Sequence, residues 1–353
     1  MKVKLFHIIL GLLALGVLLS GCATGLTPSS WPGIASDGAT VYVASATAVY
    51  AVDLQNGNEL WRFPDKADAK KTFYATPVLT PDGQLIIGGY DHILYSLNPQ
   101  NGQVNWQYAE ARDRWIGGAL VANDLIYAPN SDYNLYALTL SGAFQWKFTT
   151  REGIWSAPVT DGQWIYFGSL DRNVYALDAH SGALAWKTEL SGAVLGSPVL
   201  ADGRLYMASF DGVIFALNPA SGNQFWQFSV GNFVWSSPAY KDGQLYFGDS
   251  GGTFYALDAA TGTQLWRQQP DSPILGIPLA ANNHILFGTE AGDLYALDAQ
   301  GQNAWKLTVN GKLYGAPLTA DNLILIAPVE GQSLLIALDQ AGVQKWSFTP
   351  VKK

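Results

Sequence analysis

The chain has 353 residues, of which 14% are charged, with 28 acids against 20 lysines and arginines and a formal net charge of −8. So acidic a body argues against nucleic acid as a partner and against broad adhesion to anionic lipid. A single cysteine excludes a structural disulfide, and the four histidines show no metal-ligand spacing.

The first 22 residues stand apart. Lys2 and Lys4 give a basic start, Leu5 to Leu19 form an apolar run, and Leu19-Ser20-Gly21-Cys22 closes it with small residues. This pattern is a secretory signal over residues 1–21, too short and wrongly flanked for a functional membrane span. Its last four residues resemble a bacterial lipobox, which implies acylation of Cys22 and a membrane-anchored, extracytoplasmic protein. Ala23 follows, where Asp would retain a lipoprotein at the inner membrane. In a two-membrane bacterium that resemblance implies the outer membrane, facing the periplasm. Loss of Lys2 and Lys4 lowers the net charge from −8 to −10, so attachment must come from acyl chains. Residues 22–30 form a short tether.

From residue 31 to 353 the chain repeats. Trp61, Trp106, Trp146, Trp186, Trp226, Trp266, Trp305 and Trp346 recur every 39 to 45 residues, each four residues after a glycine. A period near 40 is the length of four short strands and their turns, the blade of a β-propeller. In the fourth copy the strands are expected at 156–159, 164–168, 174–178 and 183–187, with Asp161-Gly162 and Ser181-Gly182 as turns. An opening proline is read at Pro32, Pro77, Pro158, Pro198, Pro238, Pro278 and Pro317, with Ala119 in its place in the third copy. Proline is tolerated at a strand start because that position need not donate to a ladder. The expected fold is all-β: an eight-bladed propeller of four-stranded antiparallel blades, in register with the chain and closed by side-chain docking between first and last blades.

The stretch Ala256-Leu-Asp258-Ala-Ala-Thr261-Gly262-Thr-Gln-Leu-Trp266 resembles the tryptophan-docking motif of the pyrroloquinoline-quinone-type (PQQ-like) propeller repeat, in eight copies across the mature chain. The resemblance implies that each Trp packs between the small residue of its own motif and the glycine of a neighbouring one. All eight tryptophans are therefore read as a structural girdle and not as ligand-binding residues.

Catalytic signatures are weak. Gly248-Asp249-Ser250-Gly251-Gly252 matches a serine-hydrolase pattern, but in the repeat frame it is the second hairpin of its blade, with no helix following. Asp91, Asp132, Asp171 and Asp211 share one hairpin position, as turn chemistry requires. Quinone dehydrogenases resembling this fold are much longer, and the methanol-dehydrogenase type carries an adjacent cysteine pair; here only Cys22 exists. No cofactor, no metal and no enzyme activity are expected.

Binding features gather on one face. Successive antiparallel strands put the connections between blades and the second hairpins on the same side. The first two connections are the longest and most charged, with Arg62, Lys66, Lys70 and Lys71 in one and Glu110, Arg112, Asp113 and Arg114 in the other. An aromatic bias precedes the opening prolines at Tyr74, Trp115, Trp155, Trp235 and Tyr314, with Leu195 and Leu275 at equivalent places. Exposed, these residues form an apolar rim around the central mouth; buried, they pack blade against blade. Lys66, Lys70, Lys71, Arg112, Arg114, Trp115, Trp155 and Trp235 are the candidate partner-binding residues.

Eight such repeats, a lipobox and about 330 mature residues together resemble the BamB family of lipoproteins. That resemblance implies a non-catalytic scaffold that supports insertion of outer-membrane β-barrels by binding a BamA-like subunit. The alternative is a surface-anchored receptor for peptide, polysaccharide or another extracytoplasmic protein; a PQQ-dependent oxidoreductase stands third.

Overall fold

A computed structural model describes residues 31–66, 68, 70–281 and 283–351; the expected signal, Cys22 and the whole of the tether lie outside the described residues. Eight four-stranded antiparallel sheets follow one another, each made of four consecutive strands in spatial order one to four. No helix occurs among the described residues. In blade 4 the strands are Val159–Thr160, Trp164–Gly168, Asn173–Asp178 and Leu184–Glu189. First strands are short and surround the central axis. Second and third strands are buried, whereas fourth strands alternate between exposed and half-buried residues, as the outermost strand of a blade must.

Between the blades lie eight hydrophobic clusters, such as Tyr127, Leu135, Ile165, Phe167, Tyr175 and Leu177 between blades 3 and 4. Each third strand faces its tryptophan with a small residue: Ala176 pairs with Trp186 and Ala256 with Trp266, and the register shifts one residue later in every blade. The shift lets the ring turn toward the next blade, where it lies flat on a glycine. A Cβ on Gly222 would sit 2.5 Å from Trp186 Cε3, and one on Gly102 2.6 Å from Trp61 Cε3. Only glycine leaves that space, and its positive φ suits the turn.

Trp61 and Trp346 are buried and the other six half-buried, so the girdle is less enclosed than a core tryptophan would be. Seven donate an indole N–H to a carbonyl of the next blade, as Trp186 does to Pro219 at 2.8 Å. Trp146 is the exception. Its Nε1 has no partner, while Tyr127 donates to the carbonyl of Ala179, the equivalent acceptor. The ring closes without a shared strand. Trp346 caps Gly57 and donates to Leu54 at 2.9 Å, and Ile34, Val43, Leu325 and Phe348 pack in one cluster.

Blade 1 corrects the sequence reading. The first-strand residues that pair with the middle of the second strand are Ala35 opposite Tyr42 in blade 1 and Val159 opposite Tyr166 in blade 4. Ile34, and not Pro32, therefore stands where Pro158 stands. Pro32 occupies the place of Ser156, two residues earlier.

Candidate binding site at the central mouth

Connections between blades and second hairpins do share a face and are stitched together there. Tyr90 N–H donates to Thr72 at 2.8 Å, Leu170 to Gly153 at 3.0 Å and Ser250 to Phe233 at 2.9 Å. At the centre of this face opens a cavity of about 590 Å³, within the size range of ligand sites.

Its rim holds one residue per blade, four positions before the first-strand residue that pairs with the middle of the second strand. Counting from Ala35, Val78, Leu120, Val159, Val199, Ala239, Leu279 and Leu318 gives Trp31, Tyr74, Ile116, Trp155, Leu195, Trp235, Leu275 and Tyr314. All eight line the cavity and all are half-buried. Trp155 and Trp235 are thus rim residues, as one of the two alternatives had them.

Trp115 is not. Trp155 lies three positions before Pro158, but Trp115 lies four before Ala119, and a one-residue slip turns a side chain to the other face. Trp115 is 1% exposed. It takes the place of the buried Phe73, Ile154 and Val194, packs 5.4 Å from Tyr136, and donates to His92 at 3.0 Å. Trp31 was missed because Pro32 does not mark the register of blade 1, and Ile116 because the rim position lies three residues before Ala119, not the four of Trp115.

Trp31 leans into the opening, 5.2 Å from Tyr314 on the adjacent blade and 5.6 Å from Trp235 three blades away. Phe210 continues the arc, 5.3 Å from Trp235 and stacked at 4.7 Å on Phe233, which is 54% exposed. On the opposite side Tyr74 stacks on Tyr90 at 4.2 Å. Among the described residues no acidic or basic side chain lines the cavity. The phenols stay neutral as well. Burial pushes Tyr90 up to about 12, against the opposing pull of Arg114, and burial also raises Tyr74 and Tyr314.

The basic residues separate into two kinds. Lys66, Lys70, Arg112 and Arg114 are exposed and Lys71 is half-buried, and two of the five lie over aromatic rings. Lys71 lies 5.1 Å over the rings of both Phe63 and Tyr95, and Arg114 lies 5.0 Å over Tyr90 while pairing with Asp113 at 3.2 Å. Arg62 belongs to the outer strand Glu59–Phe63, bound to Glu59 and to the carbonyl of Val351. Asp65, Glu110 and Asp113 interleave with these cations, so the charge contrast is weaker than their number suggests.

Gly248 to Gly252 is the second hairpin of blade 6. Asp249 is fully buried, accepts from the amides of Gly251 and Thr253 and from Tyr255, and holds the turn. Among the described residues no group of His, Cys, Asp or Glu could hold a metal ion.

A family model described as "Outer membrane protein assembly factor BamB" matches residues 23–153, 131–232, 210–300 and 276–352. The chain belongs to the BamB family. A protein of that name from Burkholderia pseudomallei (strain K96243) is 35% identical over 48 residues, which is 14% of this chain and 12% of that protein. The crystal structure of BamB from Moraxella catarrhalis superposes with a TM-score of 0.72 at 20% identity, over 87% of this chain and 94% of that one. The computationally designed Ika8 protein superposes at 0.73 with 16% identity, over 92% of this chain and 98% of that one. At such identities both superpositions show the fold alone, and a designed protein fits it as well as a family member does.

Proposed function

We propose that this chain is a non-catalytic, extracytoplasmic lipoprotein scaffold, anchored through Cys22, that supports assembly of outer-membrane β-barrel proteins through protein–protein contacts. A BamA-like barrel-assembly subunit is its partner, and the periplasmic side of the outer membrane its location. The observation that carries this reading is the family match spanning residues 23–352. The absence of catalysis is supported by the site chemistry: Ser250 sits in a turn organised by Asp249 and its hydrogen bonds.

The exposed cations Lys66, Lys70 and Arg112 are the docking residues of this proposal, because they are free to steer an acidic partner without a ring to hold them. Lys71 and Arg114, fixed over aromatic rings, contribute through the shape of the face. Trp155 and Trp235 border the same surface.

Pull-down from native membranes with wild type and the triple variant Lys66→Glu, Lys70→Glu, Arg112→Glu tests the interface. Reduced recovery of a barrel-assembly subunit at unchanged melting temperature supports it; equal recovery moves the interface elsewhere. Cys22→Ala tests the anchor separately and should shift the folded protein to the soluble extracytoplasmic fraction.

A further inference from the structure

We propose that the central mouth is a recognition site for an uncharged, extended peptide segment that presents an aromatic side chain. This site goes beyond the assembly role and does not depend on it.

Three observations converge on that ligand. The walls already accept an aromatic ring, since the Trp31 indole lies against Trp235 and Tyr314, and Trp155 offers a further half-exposed ring. Among the described residues the lining is free of ionised groups, so a charged side chain would lose its hydration and gain no partner there. The hydroxyl of Ser237, 4% exposed and in the cavity wall, has no hydrogen-bond partner. A buried hydroxyl is costly unless something pairs with it, and a peptide amide or carbonyl brought in by an aromatic anchor does so.

The polar inventory favours peptide over sugar. Vicinal sugar hydroxyls are held by planar bidentate groups such as Asn, Asp, Glu or Arg, and the lining has none. It offers instead serine and threonine hydroxyls and the backbone at and just before the first strands, which are the inner edges of the sheets. Such edges suit an extended main chain, while the rim receives its side chain.

Isothermal titration with the capped peptide acetyl-Ser-Tyr-Ser-Phe-Ser-amide tests the proposal, with the Tyr→Ala, Phe→Ala peptide and a neutral malto-oligosaccharide as comparison probes. Wild type should bind the aromatic peptide and neither comparison probe. Trp235→Ala should weaken binding at least tenfold, and Ser237→Ala roughly three- to tenfold. Phe225→Ala, an exposed aromatic on an outer strand, should change nothing. Ser237→Ala is small enough to keep the fold, which the melting temperature of each variant verifies. No binding by wild type, equal binding of the alanine peptide, or undiminished binding by both mouth variants overturns the proposal. Binding of the oligosaccharide alone also overturns it, and makes the mouth a carbohydrate site.

Discussion

Trp346 donates its indole N–H to the carbonyl of Leu54 across 292 residues of sequence, and its ring covers Gly57. All seven other tryptophans cover a glycine of the next blade, and six of them also donate to that blade. The contact between consecutive blades is thus used once more to join the ends of the chain. A propeller closed by a shared strand has ladder hydrogen bonds at its seam. Here side-chain docking and one hydrophobic cluster perform that task.

Gly57→Ala should therefore open the seam. A Cβ there would lie 2.6 Å from Trp346 Cε3 at a φ of +76°, so strain and overlap should cost about 2–4 kcal/mol. Gly83→Ala has a similar φ of +80° with nothing within 4 Å, and should cost about 1–2 kcal/mol. Urea denaturation compares the two; equal losses would mean the docked ring contributes nothing at the seam.

The unpartnered indole gives a second comparison. Trp186→Phe removes a hydrogen bond to Pro219, whereas Trp146→Phe removes an N–H that has no acceptor. The first should be more destabilising than the second by about 1 kcal/mol. Identical unfolding free energies would mean that Trp146 finds an acceptor in solution.

Trp115→Ala should cost about 3–5 kcal/mol, as a large buried ring does. Ile116→Ala should cost about 1 kcal/mol or less, because its side chain faces the mouth. Thermal unfolding of the two variants tests the register directly, and the opposite order would restore Trp115 to the rim.

Acid sensitivity should reside in the hairpin carboxylates. Asp171 loses hydration by burial, but hydrogen bonds from Tyr175 and from the amides of Arg151 and Asn173 outweigh this, leaving its pKa below the ordinary carboxylate value. A depressed folded-state pKa stabilises the fold above the unfolded value, near 4. That contribution is lost as pH falls through the folded value. Asp171→Asn should flatten the decline of melting temperature below pH 4, with some loss of stability at pH 7. An unchanged acid limb would assign the sensitivity to other groups.

How much was legible in the sequence follows from the range of each interaction. The tryptophan–glycine spacing, the small residue opposite each ring and the turn dipeptides are local, and every blade repeats them. Eight copies therefore specified the blade number, the strand order, the girdle and the closure without a shared strand. The serine motif of blade 6 was also readable as a turn, because its equivalents in blades 4 and 5 carry no such motif.

The mouth was different. Its residues meet around the axis from all eight blades, and whether a side chain faces it turns on a single residue of register. Pairing with the second strand sets that register. The proline marker failed in blade 1; in blade 3 Ala119 does align with Pro158, but the rim position lies one residue after Trp115. These two slips concealed Trp31 and Ile116 and moved Trp115 into the rim. Likewise, the sequence placed Lys66, Lys70, Lys71, Arg112 and Arg114 in neighbouring loops, but only the fold decided that Lys71 and Arg114 lie over aromatic rings. Repetition determines a blade from within one copy; a surface shared by eight copies exists only once tertiary packing has brought them together.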